Sequence, residues 1–426
     1  ISRLVNFPEI RTVTRASASV YKGKQMDPQA IGREMGVDRV LVGTLTKKDD
    51  EFTLNTRLVN VADGKQLYSM FFADKADKIL ELQSQLISLT IEKLELKADN
   101  RTGMAQKSYT ENNEAFSLYL KGEYSRQKGT PAGTNESIQY YKQAIEFDPN
   151  YALAYQGLAL AYRTAPAYGT LQPKDAYPAA KDAAIKALEL DPSLGSARVP
   201  LASIKFVWDW DFAGAEVEYK EAIRLSPNNP EAHYSYANAL VAWGRTDEAL
   251  NELRIAQQLD PLSNTIATNA AWALYIAGRL DESELQIRQV LARDPNFARA
   301  HLVLGEIYSE RGKYDLAIAA FQKSKGLAGD PLTDMAIGYV LAVAGRQGEA
   351  RKVASELEAK VMTKQVSAFL PATVYAGLDD KDKAFYWFER AYQERSNWLT
   401  QIKVGRRLKN LHGDPRFDDL LKRIGF

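Results

Sequence analysis

The chain of 426 residues carries 55 lysines and arginines against 54 aspartates and glutamates, a formal net charge of +1 that excludes a broad electrostatic footprint for nucleic acid or an anionic membrane. Cysteine is absent, which excludes disulfides, a thiol nucleophile and cysteine metal sites. The length predicts at least two domains, and no apolar run approaches the roughly 20 residues that a membrane-spanning helix requires.

The first elements predict a small α+β unit. An extended run at 10–14 precedes Asp27-Pro28, a pair suited to cap and open a short helix, and Gly36 is placed to end that helix. Three stretches then predict antiparallel strands by β-branched content or by alternation of apolar and polar residues. These stretches are 39–45, 52–58 and 67–72. Apolar residues three or four apart from Ile79 predict a closing amphipathic helix to about Leu96.

Four short stretches of this unit resemble the TolB amino-terminal-like domain. They are RTVTRASA at 11–18, IGREMGVD at 31–38, VLVGTL at 40–45 and DGKQLY at 63–68. The resemblance assigns residues 1–97 to such a domain. Members of that family usually begin with a further strand and helix, whereas this chain opens inside what would be that helix at Ile1. We therefore expect the domain to lack its N-terminus and its sheet to lack a strand.

Residues 98–114 are polar and predict a linker, after which one pattern returns at a fixed distance. Pro227, Pro261 and Pro295 are 34 residues apart, and glycines recur at the middle of the later units. Those glycines are Gly244, Gly278 and Gly312. A period of 34 residues predicts a two-helix unit stacked on copies of itself.

Within each unit, small residues at fixed positions let the two helices approach closely, and a proline ends the second helix. Such a pattern over 115–398 resembles the tetratricopeptide repeat (TPR) family, in about eight copies. The resemblance implies a mainly α fold, a right-handed TPR α-solenoid preceded by the small α+β domain. Residues 399–426 are predicted to form a C-terminal capping helix, because the last repeat of a solenoid exposes an apolar face.

The first helices of such repeats line a groove that accepts a peptide or a partner helix, in which aromatic and arginine side chains are the usual anchors. The candidate groove residues are Tyr234, Asn238, Asn269, Trp272, Tyr275, Arg299, Glu306 and Tyr339. Three of them, Asn238, Asn269 and Arg299, match positions at which some chaperone-binding TPR domains clamp a C-terminal carboxylate. Tyr234 and Val303 stand where that clamp requires a base, so ordinary polar groove residues are the alternative.

Other candidate sites have simple structural explanations. His233 and His301 occupy a repeat position that normally holds a large packing residue, which favours packing over metal binding. The two aspartates of the run 208–211 (WDWD) suggest glycosidase carboxylates, but a helix cap beside packed indoles explains them as well. The basic cluster of the tail predicts a solvated helix face or a contact for an acidic partner. That cluster is Lys403, Arg406, Arg407 and Lys409.

The sequence lacks the phosphate-loop, zinc-protease, nucleophile-elbow and kinase motifs. We therefore predict a non-catalytic protein–protein interaction scaffold without cofactor or metal, whose partner is a protein or peptide rather than nucleic acid. The resemblances imply the sensory or interaction region of a bacterial regulator, placed outside the cytoplasmic membrane, with a cytoplasmic location as the alternative.

Two other functions fit the same sequence. The chain is alternatively the C-terminal part of a membrane-bound Ser/Thr kinase or DNA-binding regulator whose catalytic or DNA-binding domain is absent here. A cell-envelope assembly factor is the third interpretation. The residues that precede Ile1 in the native protein would separate these functions.

Overall fold

A computed structural model describes residues 10, 12–13, 17–18, 20–24, 26–49, 51–75, 78–95, 109–128, 130–167 and 170–426. The fold divides into two compact units. Unit 1 contains residues 1–201, 220–232 and 258–262, and unit 2 contains residues 202–219, 233–257 and 263–426. None of the described helices is both long enough and apolar enough to cross a bilayer.

Unit 1 begins with the predicted short helix and three-stranded sheet. Helix α1 (Pro28–Met35) is capped by Asp27, whose carboxylate accepts a hydrogen bond from the backbone N–H of Gln29, and it ends at Gly36 with a left-handed φ of 60°. The antiparallel strands β1 (Arg39–Lys48), β2 (Glu51–Asn60) and β3 (Gln66–Lys75) follow, and helix α2 (Ile79–Lys93) packs on the sheet. Its Thr90 hydroxyl lies 3.0 Å from the buried hydroxyl of Tyr68.

The run predicted to be extended at 10–14 is not a sheet strand at its described residues 10, 12 and 13. The Ile10 carbonyl accepts a 2.8 Å hydrogen bond from the side-chain amide of Asn228. A side chain thus satisfies this backbone group, where a strand would use a ladder partner. Residues 11 and 14, residues 1–9 and residues 96–108, which hold most of the predicted linker, lie outside the described part of the chain.

The repeats begin in unit 1 with paired helices that meet at small residues. They are α3 (Asn113–Gln127), α4 (Pro131–Phe147), α5 (Ala152–Thr164), α6 (Pro173–Leu190) and α7 (Gly195–Ile204). The fully buried ring of Tyr141 lies between Gly122 and Gly157, where added Cβ atoms would stand 2.7 Å and 2.5 Å from the ring. These glycines therefore leave the space that the ring fills, as the small residues of the sequence pattern predicted.

The helical array continues through the rest of the chain. Its elements are a five-residue π-helix (Lys205–Asp209), α8 (Phe212–Leu225), α9 (Pro230–Ala242), α10 (Thr246–Leu259), α11 (Asn264–Ile276), α12 (Leu280–Arg293), α13 (Ala298–Glu310), α14 (Tyr314–Ala328), α15 (Pro331–Val343), α16 (Gln347–Met362), α17 (Phe369–Gly377) and α18 (Lys381–Gln393). The alternation of helices confirms the fold class that the 34-residue period predicted.

Glycines turn the chain between the two helices of successive repeats in unit 2. Gly244, Gly278 and Gly312 have φ values of 81°, 80° and 71°, and Gly345 has 79°. A left-handed backbone brings the Cβ of other residues too close to the following carbonyl, whereas glycine has no Cβ. In the last repeat Asp379 takes the left-handed conformation at the corresponding turn, with φ 57°.

Replacing Gly312 with alanine should lower the free energy of unfolding by about 1–2 kcal/mol, because alanine is strained at this φ although the site offers open space. The matched control is Gly326→Ala, which also adds a methyl group in open space, but in the interior of α14. There alanine is the better helix former, by about 0.8–1.0 kcal/mol. Urea denaturation of both variants measures the difference, and equal effects of the two would contradict the backbone explanation.

The chain ends in two 3-10 helices (Asn397–Gln401 and Arg406–Leu411) and helix α19 (Pro415–Ile424). Phe417, Leu420 and Ile424 are buried, and the guanidinium of Arg423 forms an ion pair with Glu389 of α18. The Arg416 guanidinium lies over the ring of Phe385 on α18, 4.3 Å from its centre. The predicted final helix thus packs on the last helix of the array.

Residues near the start of unit 2 contact residues near its end. Arg395 donates a 2.7 Å hydrogen bond to the carbonyl of Trp208. The ring of Phe426 packs against Phe212, with ring centres 4.9 Å apart, and the ring of Trp210 packs against Tyr392 at 5.2 Å. Residues some 200 positions apart in the sequence are therefore in direct contact.

Candidate functional site

Three first helices of unit 2 carry the side chains of the candidate site. Tyr275 lies in the last turn of α11, and Tyr339 lies on α15. Glu306 and Glu310 are four residues apart on α13, a spacing that places both carboxylates on one face of the helix. We call these four residues the acidic pocket, and residues 402–411 that contact it the tail segment.

Arg407 of the tail segment forms an ion pair with Glu306, whose side chain is almost fully buried. The Tyr275 hydroxyl donates to the same carboxylate over 3.4 Å. The Arg407 guanidinium also lies 5.6 Å from the ring centre of Tyr339, within the range of a cation–π contact. One arginine therefore meets both a carboxylate and an aromatic ring.

Arg406, the preceding residue, makes the same two kinds of contact as Arg407. Its guanidinium forms an ion pair with Glu310 and lies 5.5 Å from the ring centre of Tyr275. A second nitrogen of the guanidinium donates to the carbonyl of Ile276 over 3.4 Å. Lys409 approaches Glu310 as well, at 2.6 Å.

The environment shifts the pKa values of the two carboxyls in opposite directions. Burial raises the pKa of Glu306, and the nearby charge of Arg407 opposes that rise without cancelling it. Burial also acts to raise the pKa of Glu310, but hydrogen bonds from Arg406 and Lys409 outweigh it, so that pKa is lowered. Burial, with the charge of Glu306, raises the pKa of Tyr275 well above its ordinary value. The cations that this site holds in the structure are Arg406, Arg407 and Lys409 of the tail segment.

The other predicted groove residues differ in whether they contact the acidic pocket. Trp272 packs on Tyr275, with ring centres 5.1 Å apart. The amide of Asn269 donates to the carbonyl of Thr265 over 2.8 Å and accepts from Arg299 over 3.4 Å, so this side chain is engaged inside the protein. Tyr234 and Asn238 lie on α9 and are half-buried, and Val303 of the proposed carboxylate clamp is buried.

The prediction of a solvated basic face at the tail is wrong for Arg406 and Arg407. Both side chains are largely buried and pair with carboxylates of α13. Sequence reasoning placed Glu306 in the groove and named both arginines as a possible contact for an acidic partner, but it missed Glu310 and the pairing of the arginines with α13. The available signal was two glutamates four apart on a groove-lining helix together with adjacent arginines in the tail.

The histidines and the 208–211 run have structural roles. Nδ1 of buried His233 lies 2.6 Å from a carboxylate oxygen of Glu252, and Nε2 of His301 lies 2.8 Å from the Pro295 carbonyl. Asp211 accepts a 2.9 Å hydrogen bond from the backbone N–H of Gly214 at the start of α8, as a helix cap does. Among the described residues, no group of three His, Asp or Glu side chains could hold a metal ion.

Two overlapping parts of the array, residues 211–273 and residues 268–331, match the tetratricopeptide repeat family. The repeats at residues 211–331 are tetratricopeptide repeats. The matched TPR region contains α11 and α13, which carry Tyr275, Glu306 and Glu310 of the acidic pocket. In a TPR array the first helices of successive repeats line the groove, and these two are such helices.

Two known proteins with related sequences are a transcriptional regulator and a putative adenylate cyclase. The chain is 27% identical over 166 residues to the transcriptional regulator HilA of Salmonella typhimurium, which covers 39% of this chain and 30% of HilA. It is 23% identical over 149 residues to the putative adenylate cyclase 3 of Rhizobium meliloti, which covers 35% of this chain and 25% of that protein. The chain thus spans less than a third of the length of these relatives.

Among solved structures, the human IFIT1 dimer with m7Gppp-AAAA has a similar fold. The TM-score is 0.50 at 17% sequence identity, and the match covers 75% of this chain and 79% of the IFIT1 chain. At this identity the likeness concerns the fold alone, and it agrees with a TPR array.

Proposed function

We propose that this chain is a non-catalytic protein-interaction scaffold whose TPR groove binds a peptide segment of a partner protein. One observation carries the proposal. In unit 2 the aromatic and carboxylate side chains of α11, α13 and α15 hold a short stretch of polypeptide, the tail segment, through ion pairs and cation–π contacts. Aromatic and arginine side chains in desolvated contacts are the groups that dominate binding energy at protein interfaces.

The biological setting we propose is the interaction region of a bacterial regulator. The similarity to HilA, a transcriptional regulator, supports this setting, and so does the resemblance of residues 1–97 to a domain that often precedes TPR repeats in regulators. The similarity to a putative adenylate cyclase supports a second candidate, in which the same region serves a longer enzyme as its interaction part. In both cases the chain contributes binding, and chemistry or DNA recognition belongs to other parts of the protein.

Selection of a displayed random peptide library on the immobilised chain tests the scaffold function. We expect enriched peptides whose affinity falls by about tenfold or more in the variant Tyr234→Ala/Trp272→Ala, because truncating aromatic anchors removes most of the energy of such contacts. Circular dichroism establishes that the variant is folded.

The matched control is Val217→Ala/Leu285→Ala, which truncates two exposed apolar side chains on second helices of the array. This control should bind the enriched peptides as the unaltered chain does. A library without enriched peptides, or peptides that lose affinity equally for both variants, would rule out the groove as the binding surface.

A further inference from the structure

The acidic pocket fits a guanidinium better than other cations. It presents two carboxylates on one helix face, and the ring faces of Tyr275 and Tyr339 beside them. A guanidinium is planar, donates several hydrogen bonds in a fixed fork and stacks on aromatic rings, whereas an ammonium is a compact, strongly hydrated point charge. Both arginines of the tail segment use both kinds of contact.

An empty pocket would be unstable. Glu306 has only 3% of its surface exposed, so without Arg407 its carboxylate would be a buried charge with no cationic partner. Removing one member of a buried ion pair is costly, because the remaining charge can regain neither water nor a partner. Replacement of the tail arginines by another cation of the same shape is therefore favoured over their departure alone.

The tail arginines are nevertheless not fully hydrogen-bonded in the pocket. Within the described part of the chain, the buried Nε atoms of Arg406 and Arg407 have no hydrogen-bond partner. A buried donor without an acceptor destabilises the contact in which it sits. An arginine that approaches from a different backbone direction can place its own Nε–H against an acceptor, which neither tail arginine does.

Exchange of the arginines does not require the tail to unfold. Ile402 and Leu408 on either side of them are buried, and α19 packs on α18 further along the chain. The stretch between these anchors ends in a 3-10 helix, whose hydrogen-bond geometry is poorer than that of an α-helix. Local opening of this turn is therefore enough to free the two arginine side chains while the apolar anchors stay packed.

We propose that the acidic pocket is an arginine-recognition site for a partner peptide, and that Arg406 and Arg407 keep it self-occupied until an arginine-bearing segment of the partner replaces them. The proposal rests on the proposed scaffold function and names the partner's chemistry. The chain then binds any groove ligand without arginine only weakly, because such a ligand cannot replace Arg406 and Arg407 in the pocket.

The test uses the whole chain and a fluorescent acetylated peptide with the sequence of residues 402–411, IKVGRRLKNL. The variant Arg406→Ala/Arg407→Ala should bind this peptide about tenfold or more tightly than the unaltered chain, because the competing internal ligand is gone. A peptide with lysine at both arginine positions should bind the variant about tenfold more weakly. Addition of Glu310→Gln to the variant should weaken binding of the arginine peptide.

The matched control is Arg416→Ala/Arg423→Ala, which removes two arginines of α19 that contact α18 and lie outside the pocket. It should bind the peptide no better than the unaltered chain. Equal binding of the arginine and lysine peptides, or no binding to a folded Arg406→Ala/Arg407→Ala variant, would overturn the proposal.

A second measurement covers the case in which that variant does not fold. Hydrogen exchange of residues 402–407 in the unaltered chain should accelerate when the arginine peptide is added and should not change with the lysine peptide. Unchanged exchange with both peptides refutes the self-occupied pocket. If library peptides bind the groove but lack arginine, the scaffold function stands and the arginine assignment fails; if none binds, both fail.

Discussion

Replacing Phe321 with alanine should lower the free energy of unfolding by about 3–5 kcal/mol, the usual cost of deleting a buried phenylalanine ring. The ring is fully buried on α14, and a Cβ added to Gly305 of α13 would lie 2.4 Å from it. It also belongs to the cluster that contains Ala336 and Val340 of α15, so one side chain holds two successive repeats together. Urea denaturation followed by circular dichroism measures the loss.

The control for this prediction is Leu316→Ala on the same helix. Leu316 is 52% exposed, so its truncation should change stability by about 0.5 kcal/mol or less. A Phe321→Ala variant as stable as this control would show that the ring is not the link between repeats. Hydrogen exchange in α13 to α15 then locates where the array opens first.

Replacing Glu306 with alanine should cost about 3–5 kcal/mol, the range found when one partner of a buried ion pair is removed. The variant leaves the largely buried guanidinium of Arg407 without its carboxylate and takes the acceptor from the Tyr275 hydroxyl. The cost should fall when Arg407→Ala is added, because the second substitution removes the unpaired charge. Denaturation of the two single variants and the double variant measures this coupling.

The pair of Arg279 and Glu282 supplies the comparison, since both of its side chains are about half exposed. Solvent screens such a pair, so Glu282→Ala should lower the free energy of unfolding far less than Glu306→Ala does. If Glu306→Ala costs no more than Glu282→Ala, the pocket is open to water, and an empty pocket would not be unstable.

The repeat array could be predicted because each repeat carries its own local sequence signals. Proline every 34 residues, glycine at the turn and small residues at the crossings are local requirements of two packed helices, and the left-handed glycines are where the period places them. Helix α1 follows from equally local signals, a capping aspartate and a glycine stop.

The acidic pocket could be predicted only in part. Tyr275, Glu306 and Tyr339 follow from their positions in the repeat, because first-helix positions face the groove. The position of the tail does not follow from any local rule. Residues 402–411 reach α13 through contacts about 100 positions apart in the sequence, and neither their composition nor their periodicity shows which helix face they will cover.

The contact of Phe426 with Phe212 links the two ends of unit 2, which an open repeat array would leave apart. In an open repeat array each repeat touches only its neighbours, so folding can spread from any point and the ends can fray separately. Here Phe426, at the end of unit 2, packs on Phe212 near its start, which joins the two ends of the unit into one cooperative element. During synthesis this element cannot close until Phe426 has left the ribosome, so unit 2 cannot complete its fold while its last helix is still being made.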